Sequence, residues 1–332
     1  PVLSYERTNL MVSRKYYPKL LVMLFFLTAL VLGGCANSEQ KNTKSNSEKG
    51  YTVTDATGTK ISFAESPKRI VSLSSSADEI LLDMLPPERI AALTNLADDP
   101  GICSTTEKAK AVKQRVQSKN VETILALNPD LVLMPDWLGA EKIQGFRDVG
   151  IKVYVYKTPV TLADIQNSVR EIATVVDARE QGDKLVLAMQ EKLDGVQQKL
   201  KNLPADKKQV VVPLSLMGAF GGKGTTFDDI CNYANVTNGI SAAGIDKNAV
   251  IAKEKIVEIN PDAFILPTWD FGKSGDAKNF INETMNDPAL QTVKAIKNNR
   301  LIQIHDAYLY SISHYAANAV DEIARAVYPE YF

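Results

Sequence analysis

Apolar positions along the chain fall into two alternating patterns. Short continuous runs at 69–73, 90–93, 131–134 and 152–156 read as buried strands. Between them, apolar residues recur at helical spacing over 76–85, 121–127, 140–149 and 163–176. Before these, 51–53 and 60–63 flank Asp55, Ala56, Thr57 and Gly58, which is a hairpin signal. A residue before proline resists the α region, so the helix over 121–127 is expected to stop at Asn128 and Pro129. A longer helix follows over about 180–202, with Leu185, Met189, Leu193, Val196 and Leu200 on one stripe and Gly195 as a weak point. The alternation then restarts. Strands are predicted at 209–214, 263–266 and 301–304, and helices at 227–234, 253–259 and 315–327. This βαβα rhythm implies parallel sheets covered on both faces. The fold predicted is α/β: two Rossmann-like lobes, 51–178 and 204–332, joined by a single long helix at 179–203.

The two lobes share a motif. Residues 122–137 and 254–269 align at a constant offset of 132, with seven of sixteen positions identical, including Asn-Pro-Asp and a terminal Trp. The chain has two Trp, and Trp137 and Trp269 fall in register. Each copy reads as a helix ending at Asn-Pro, a turn at Asp, a buried strand, a Pro that breaks it, and a Trp just beyond. Ligands of open α/β sheets bind outside the carboxyl ends of the strands. Two facing lobes would therefore set Trp137 and Trp269 on opposite walls of one cleft. Glu122 and Glu254 occupy matched positions near the starts of the matched helices. There they can serve the helix dipole or present one surface charge per lobe to a partner.

Composition narrows the classes. Among 332 residues, 38 basic and 39 acidic side chains give a net charge of −1, with no basic block, which argues against a nucleic-acid binder. Three Cys exclude a disulfide framework and two His exclude a His-rich metal cluster. The only long apolar run, 20–32, is short for a bilayer span but suits a signal peptide. Arg14, Lys15 and Lys19 precede it, and Leu32, Gly33, Gly34 and Cys35 end it in the pattern of a bacterial lipobox. Residues 1–10 read as an upstream extension, 11–34 as a lipoprotein signal peptide with Cys35 as the lipidated residue, and 35–50 as a flexible polar tether. The folded part then works at the outer face of a membrane, periplasmic or extracellular. Cys103 and Cys231 read as buried thiols.

Several stretches together resemble the substrate-binding proteins that serve ABC importers of ferric siderophores, haem and cobalamin. They are 53–58, 67–74 (Pro-Lys-Arg-Ile-Val-Ser-Leu-Ser), 78–81, 122–132, 150–155, 220–225, 254–262 and 326–329. The resemblance covers about 51–332. It implies a rigid connecting helix, a shallow cleft with small closing motion, and a permease dimer with a cytoplasmic ATPase as partner. It also implies that Glu122 and Glu254 match the glutamates that dock on permease arginines. The function expected is capture of a ferric complex, siderophore or haem, with a corrinoid as the alternative. No catalytic cofactor and no enzymatic activity are expected. A cell-surface hydrolase is the remote alternative, but no G-x-S-x-G or H-E-x-x-H pattern is present.

Strand ends supply the candidate cleft residues. In the first lobe these are Ser75, Asp136, Trp137, Tyr156 and Lys157; in the second, Phe220, Lys223, Trp269, Phe271, His305, Tyr308 and Tyr310. Aromatic faces suit a large or flat ligand, and scattered polar groups orient it. Lys157, Lys223 and Lys273 could attract an anionic complex. The glycine-rich loop 217–224 allows close backbone approach. His305, Tyr308 or Tyr310 could ligate haem iron, His305 foremost, whereas His314 reads as structural.

Overall fold

The computed structural model describes residues 50–116, 120–216, 220–247, 249–270 and 275–332. The leader, Cys35 and its tether, residues 217–219, Phe271 and Lys273 lie outside the described residues. The chain opens with an antiparallel hairpin, β1 (Tyr51–Thr54) and β2 (Lys60–Phe63). The first lobe follows as β3 (Ile70–Ser72), α1 (Ser75–Met84), β4 (Ile90–Thr94), α2 (Thr106–Ala109), β5 (Arg115–Val116), α3 (Val121–Leu125), β6 (Leu131–Pro135), α4 (Ala140–Asp148), β7 (Val153–Tyr156) and α5 (Leu162–Val175). Then comes the connecting helix α6 (Arg179–Leu200). The second lobe runs β8 (Val210–Pro213), α7 (Thr226–Tyr233), β9 (Thr237–Asn238), α8 (Gly239–Ala242), α9 (Lys253–Ile259), β10 (Ala263–Leu266), α10 (Asp276–Asn286), α11 (Lys294–Lys297), β11 (Leu301–Gln303), α12 (Asp306–Leu309) and α13 (Ala316–Val327).

Both sheets are parallel. The strand order is β5-β4-β3-β6-β7 in the first lobe and β11-β10-β8-β9 in the second. The order reverses beside the first strand of each lobe, which is where open α/β sheets form ligand crevices. Alternate strand residues face opposite sides of the sheet. In β6, Leu131 and Leu133 join one core while Val132 and Met134 join another; in β10, Ala263 and Ile265 separate likewise from Phe264 and Leu266. One face of each sheet has its own core. The other faces share a single core that runs through α6, by way of Val186, Met189, Leu193, Val196 and Leu200.

Helix α6 packs on α1 and α5 of the first lobe and on α7 and α13 of the second. Two of its glycines have opposite meanings. Gly182 is buried, and a Cβ there would lie 2.3 Å from Ala173 Cβ, so this glycine lets α6 close on α5. Gly195 is exposed, with nothing within 4 Å of an added Cβ. Gly195→Ala is expected to stabilise the protein by about 0.5–1 kcal/mol, and Gly182→Ala to destabilise it by about 1–3 kcal/mol through overpacking. Urea unfolding of the two variants tests the contrast, and equal effects would refute it.

The repeated motif acts as a staple at the foot of each sheet. Asn260 caps α9 and Asn128 follows the turn after α3, both with φ 49°, in the left-handed region. Helix α3 stops before Pro as expected, and Asn tolerates the left-handed conformation that it takes there. The Asp two residues on then grips the first strand of its own lobe. Asp130 accepts the Arg69 backbone N–H at 2.9 Å and that of Lys68 at 2.6 Å. Asp262 accepts the Val210 N–H at 2.8 Å.

Candidate functional site

The first lobe's crevice begins at α1. Ser74 caps this helix, its hydroxyl accepting the Ala77 N–H at 3.2 Å, and Ser75 is the first helical residue, half-buried beside it. Beneath them Tyr156 is buried at the end of β7, hydrogen-bonded to Ser74, and burial pushes its phenol up to about 12. Tyr156 therefore supports the serine turn from below. Asp136 follows β6 and accepts the Thr158 N–H at 3.1 Å and its hydroxyl at 2.5 Å, which ties the ends of β6 and β7 together. Trp137 stands beside it, 57% exposed, and Lys157 is exposed after β7.

In the second lobe Ser215, just past β8, hydrogen-bonds Tyr310 at 2.7 Å. Phe220 packs edge-on against Tyr310, ring centroids 4.5 Å apart, and tilted against Phe227. Ser215, Phe220 and Tyr310 thus form one half-buried polar-aromatic wall. Sequence reasoning did not select Ser215, although its position at a strand end was the available signal. Lys223 is exposed. A Cβ on Gly222 would lie 2.4 Å from the Asp246 carbonyl oxygen, so the close approach there is made by the protein's own backbone.

His305 does not join this wall. Its Nδ1 bonds Glu322 of α13 at 2.8 Å, its side chain is 71% exposed, and the Tyr308 ring lies tilted 5.5 Å from it. The neighbouring Asp306 is buried and accepts the Thr268 and Trp269 backbone N–H groups at 2.9 and 2.8 Å. Burial raises its carboxyl. It fixes the end of β10 against the start of α12 and so aims Trp269.

Segments leaving the carboxyl ends of the strands hold the lobes face to face. Glu79 of α1 is buried and accepts the hydroxyls of Ser311 at 3.1 Å and Ser313 at 2.5 Å, with the Ser104 N–H at 2.8 Å. One turn along the same helix face, Asp83 bonds His314 Nε2 at 2.7 Å and also pairs with Lys108. Burial raises the Glu79 carboxyl. Burial also pushes Asp83 up, but hydrogen bonds from His314, Lys108 and Tyr315 outweigh it and bring it down to about 2. A third contact joins α5 to α7, the Leu162 N–H donating to Asp229 at 2.7 Å. A fourth crosses from Trp269, whose indole N–H donates to Asp99 at 2.7 Å. His314 is thus structural as expected. The Glu79 and Asp83 contacts were not anticipated, because their partners lie more than 200 residues away.

Glu122 and Glu254 are each the second residue of a matched helix, α3 and α9, and both are exposed. Helices return antiparallel to the strands in a βα unit, so both glutamates sit on the edge of the sheets that carries the crevice. Among the described residues no three His, Cys, Asp or Glu side chains gather as a metal-holding group.

Two parallel-sheet lobes joined by one long helix, with their strand ends facing each other, define the fold of a solute-binding protein. The chain belongs to the periplasmic binding protein family, whose model matches residues 70–308. It is thus an extracytoplasmic substrate-binding protein of the kind that serves ABC importers. It is 26% identical over 316 residues to an uncharacterized ABC transporter substrate-binding lipoprotein, YvrC, of Bacillus subtilis, covering 92% of this chain and 96% of that one. It is 22% identical over 313 residues to the Fe(3+)-citrate-binding protein YfmC of the same organism, covering 89% and 91%. The apo periplasmic haem-binding protein RhuT of Roseiflexus shares the fold with a TM-score of 0.67 at 22% identity, over 80% of this chain and 99% of that one.

Proposed function

We propose that the protein captures a ferric complex, of siderophore, citrate or haem type, between its lobes and delivers it to an ABC permease. The observation that carries this reading is the closure of the two crevices on each other, with hydroxyl and aromatic side chains at their strand ends. Ser75 and Trp137 on one side and Ser215, Phe220 and Tyr310 on the other are the side chains proposed to meet the ligand. Exposed Lys157 and Lys223 would draw in an anionic chelate. In a haem complex His305 is the proposed axial ligand, since the Glu322 bond to Nδ1 leaves Nε2 to face the iron. Glu122 and Glu254 are proposed as the two docking charges. Cys35 is proposed as the lipid attachment site after removal of 11–34, and 35–50 as the tether. The lobe and linker bounds 51–178, 179–203 and 204–332 are proposed as the working units. The protein is read as a carrier without catalytic activity.

The test is a titration of the full chain, purified in mild detergent, with ferric citrate, ferric siderophores, haem and cyanocobalamin. Saturable binding of one ferric probe at micromolar affinity or tighter is expected, with a change in Trp emission. Haem would add a shifted Soret band. Binding of cyanocobalamin alone would replace the iron complex by a corrinoid, and silence with every probe would sink the reading.

A further inference from the structure

Of the four cross-lobe hydrogen-bonded contacts named above, three are built from carboxylates of α1 or α7 and backbone or buried side-chain groups. The fourth is different in kind. Trp269 reaches out of the second lobe from the end of β10 and is half-buried, so its bond to Asp99 can break without opening a core. Both ends of the bond are prepared. The Asp306 carboxylate holds the Trp269 backbone N–H, and Thr268 is tied to Asp306 and to the Ile304 carbonyl. On the other side Asp99 belongs to a tight turn: its Oδ1 accepts the Gly101 N–H at 2.9 Å and its carbonyl accepts that of Cys103 at 2.9 Å. That leaves Oδ2 for the indole. Gly101 is the seat, because a Cβ there would lie 2.4 Å from Trp269 Cδ1. The matched Trp137 of the first lobe is 57% exposed, so the duplicated tryptophans are used asymmetrically.

We propose that the Trp269–Asp99 bridge is a size gate. It closes the end of the cleft between the loops that follow β4 and β10. A compact chelate of ferric citrate size binds with the gate shut, and a tetrapyrrole or corrinoid must first displace the indole. The inference rests on the reading that the cleft is the ligand site. A ligand that binds only the open form has its dissociation constant divided by the open fraction. If the bridge holds the closed form at about ten to one, a bulky ligand binds about tenfold more weakly than it otherwise would.

Two measurements test this in the full chain. The first needs no ligand. In a Trp137→Phe background Trp269 is the sole tryptophan emitter. Asp99→Ala and Gly101→Val are each expected to red-shift its emission and at least double its quenching by acrylamide. Asp99→Asn keeps one acceptor oxygen, which can serve the Gly101 N–H or the indole but not both, so it should fall between the parent and Asp99→Ala. Unchanged emission and quenching in both disruptive variants would refute the bridge. The second compares affinities with both tryptophans present. Asp99→Ala and Gly101→Val should tighten haem and cyanocobalamin about tenfold and leave ferric citrate within twofold. A uniform change across the three probes, or none for the bulky pair, overturns the gate. If no probe binds parent or variant, the ligand class proposed above falls, and the selectivity with it, while the emission result still reports on the bridge.

Discussion

Glu79→Ala is expected to lower stability by about 2–4 kcal/mol, because three buried donors lose their acceptor at once. In a protein of this size that is a fall in Tm of roughly 3–7 °C. The donors are the hydroxyls of Ser311 and Ser313 and the Ser104 N–H, two of them from the other lobe. Glu79→Gln, which keeps a carbonyl oxygen, should lose less. Asp83 gives the same latch its acid dependence. Its carboxyl is held down at about 2, below the ordinary value of the unfolded chain. Its contribution is therefore present above about pH 4 and is lost as the pH falls towards 2. Glu79 has the opposite sign. Its raised carboxyl favours the fold when protonated, and that advantage fades as the pH rises through its folded value. Urea titrations at pH 7 and pH 3 read both effects. A Glu79→Ala protein as stable as the parent at pH 7, or an Asp83→Asn protein that loses as much stability as the parent on acidification, would show that the latch is not what holds the lobes.

The double variant Glu122→Ala with Glu254→Ala is expected to reduce uptake by at least tenfold and to leave ligand affinity within twofold. Both side chains are exposed, and each forms part of a first helical turn, where a carboxylate contributes only about 0.3–1 kcal/mol through the helix dipole. Removing them should therefore leave Tm nearly unchanged. What the variant loses is a pair of charges fixed in relation to each other by α6 and the latch. Each would be buried against an arginine on its half of a permease dimer, and an unpaired buried arginine is costly. Uptake in cells that carry the importer, measured beside affinity of the purified variant, decides the matter. Full uptake, or affinity lost together with uptake, would refute the docking assignment.

The layout of the fold was legible wherever its cause was local. The βα alternation, the apolar stripe of α6 and the repeat at 122–137 and 254–269 all survive in the structure with boundaries shifted by a residue or two. Helix α10 was not among the predicted elements, although Ala277, Phe280, Ile281 and Met285 recur at helical spacing; its start is set by Asp270 accepting the Gly275 and Ala277 N–H groups. β5 and β9 are two residues each, too short to show a period. At the site the same division holds. Ser74 as a cap and Trp269 at a strand end follow from their neighbours in sequence. Glu79 and Asp83 do not, because a carboxylate on a helix reads as solvated until the opposite lobe arrives.

The reach of these contacts along the chain fixes an order of assembly. The Asp130 and Asp262 staples close loops of 61 and 52 residues inside their own lobes, whereas the bonds from Ser311 and Ser313 to Glu79 close loops of 232 and 234. The longer closure costs about 1 kcal/mol more in chain entropy, and it has no partner surface until both lobes exist. Each half can therefore condense on its own staple as it leaves the ribosome or the translocation pore. The latch engages only when the last helix has emerged, so the crevice between the lobes is the final part of the molecule to form.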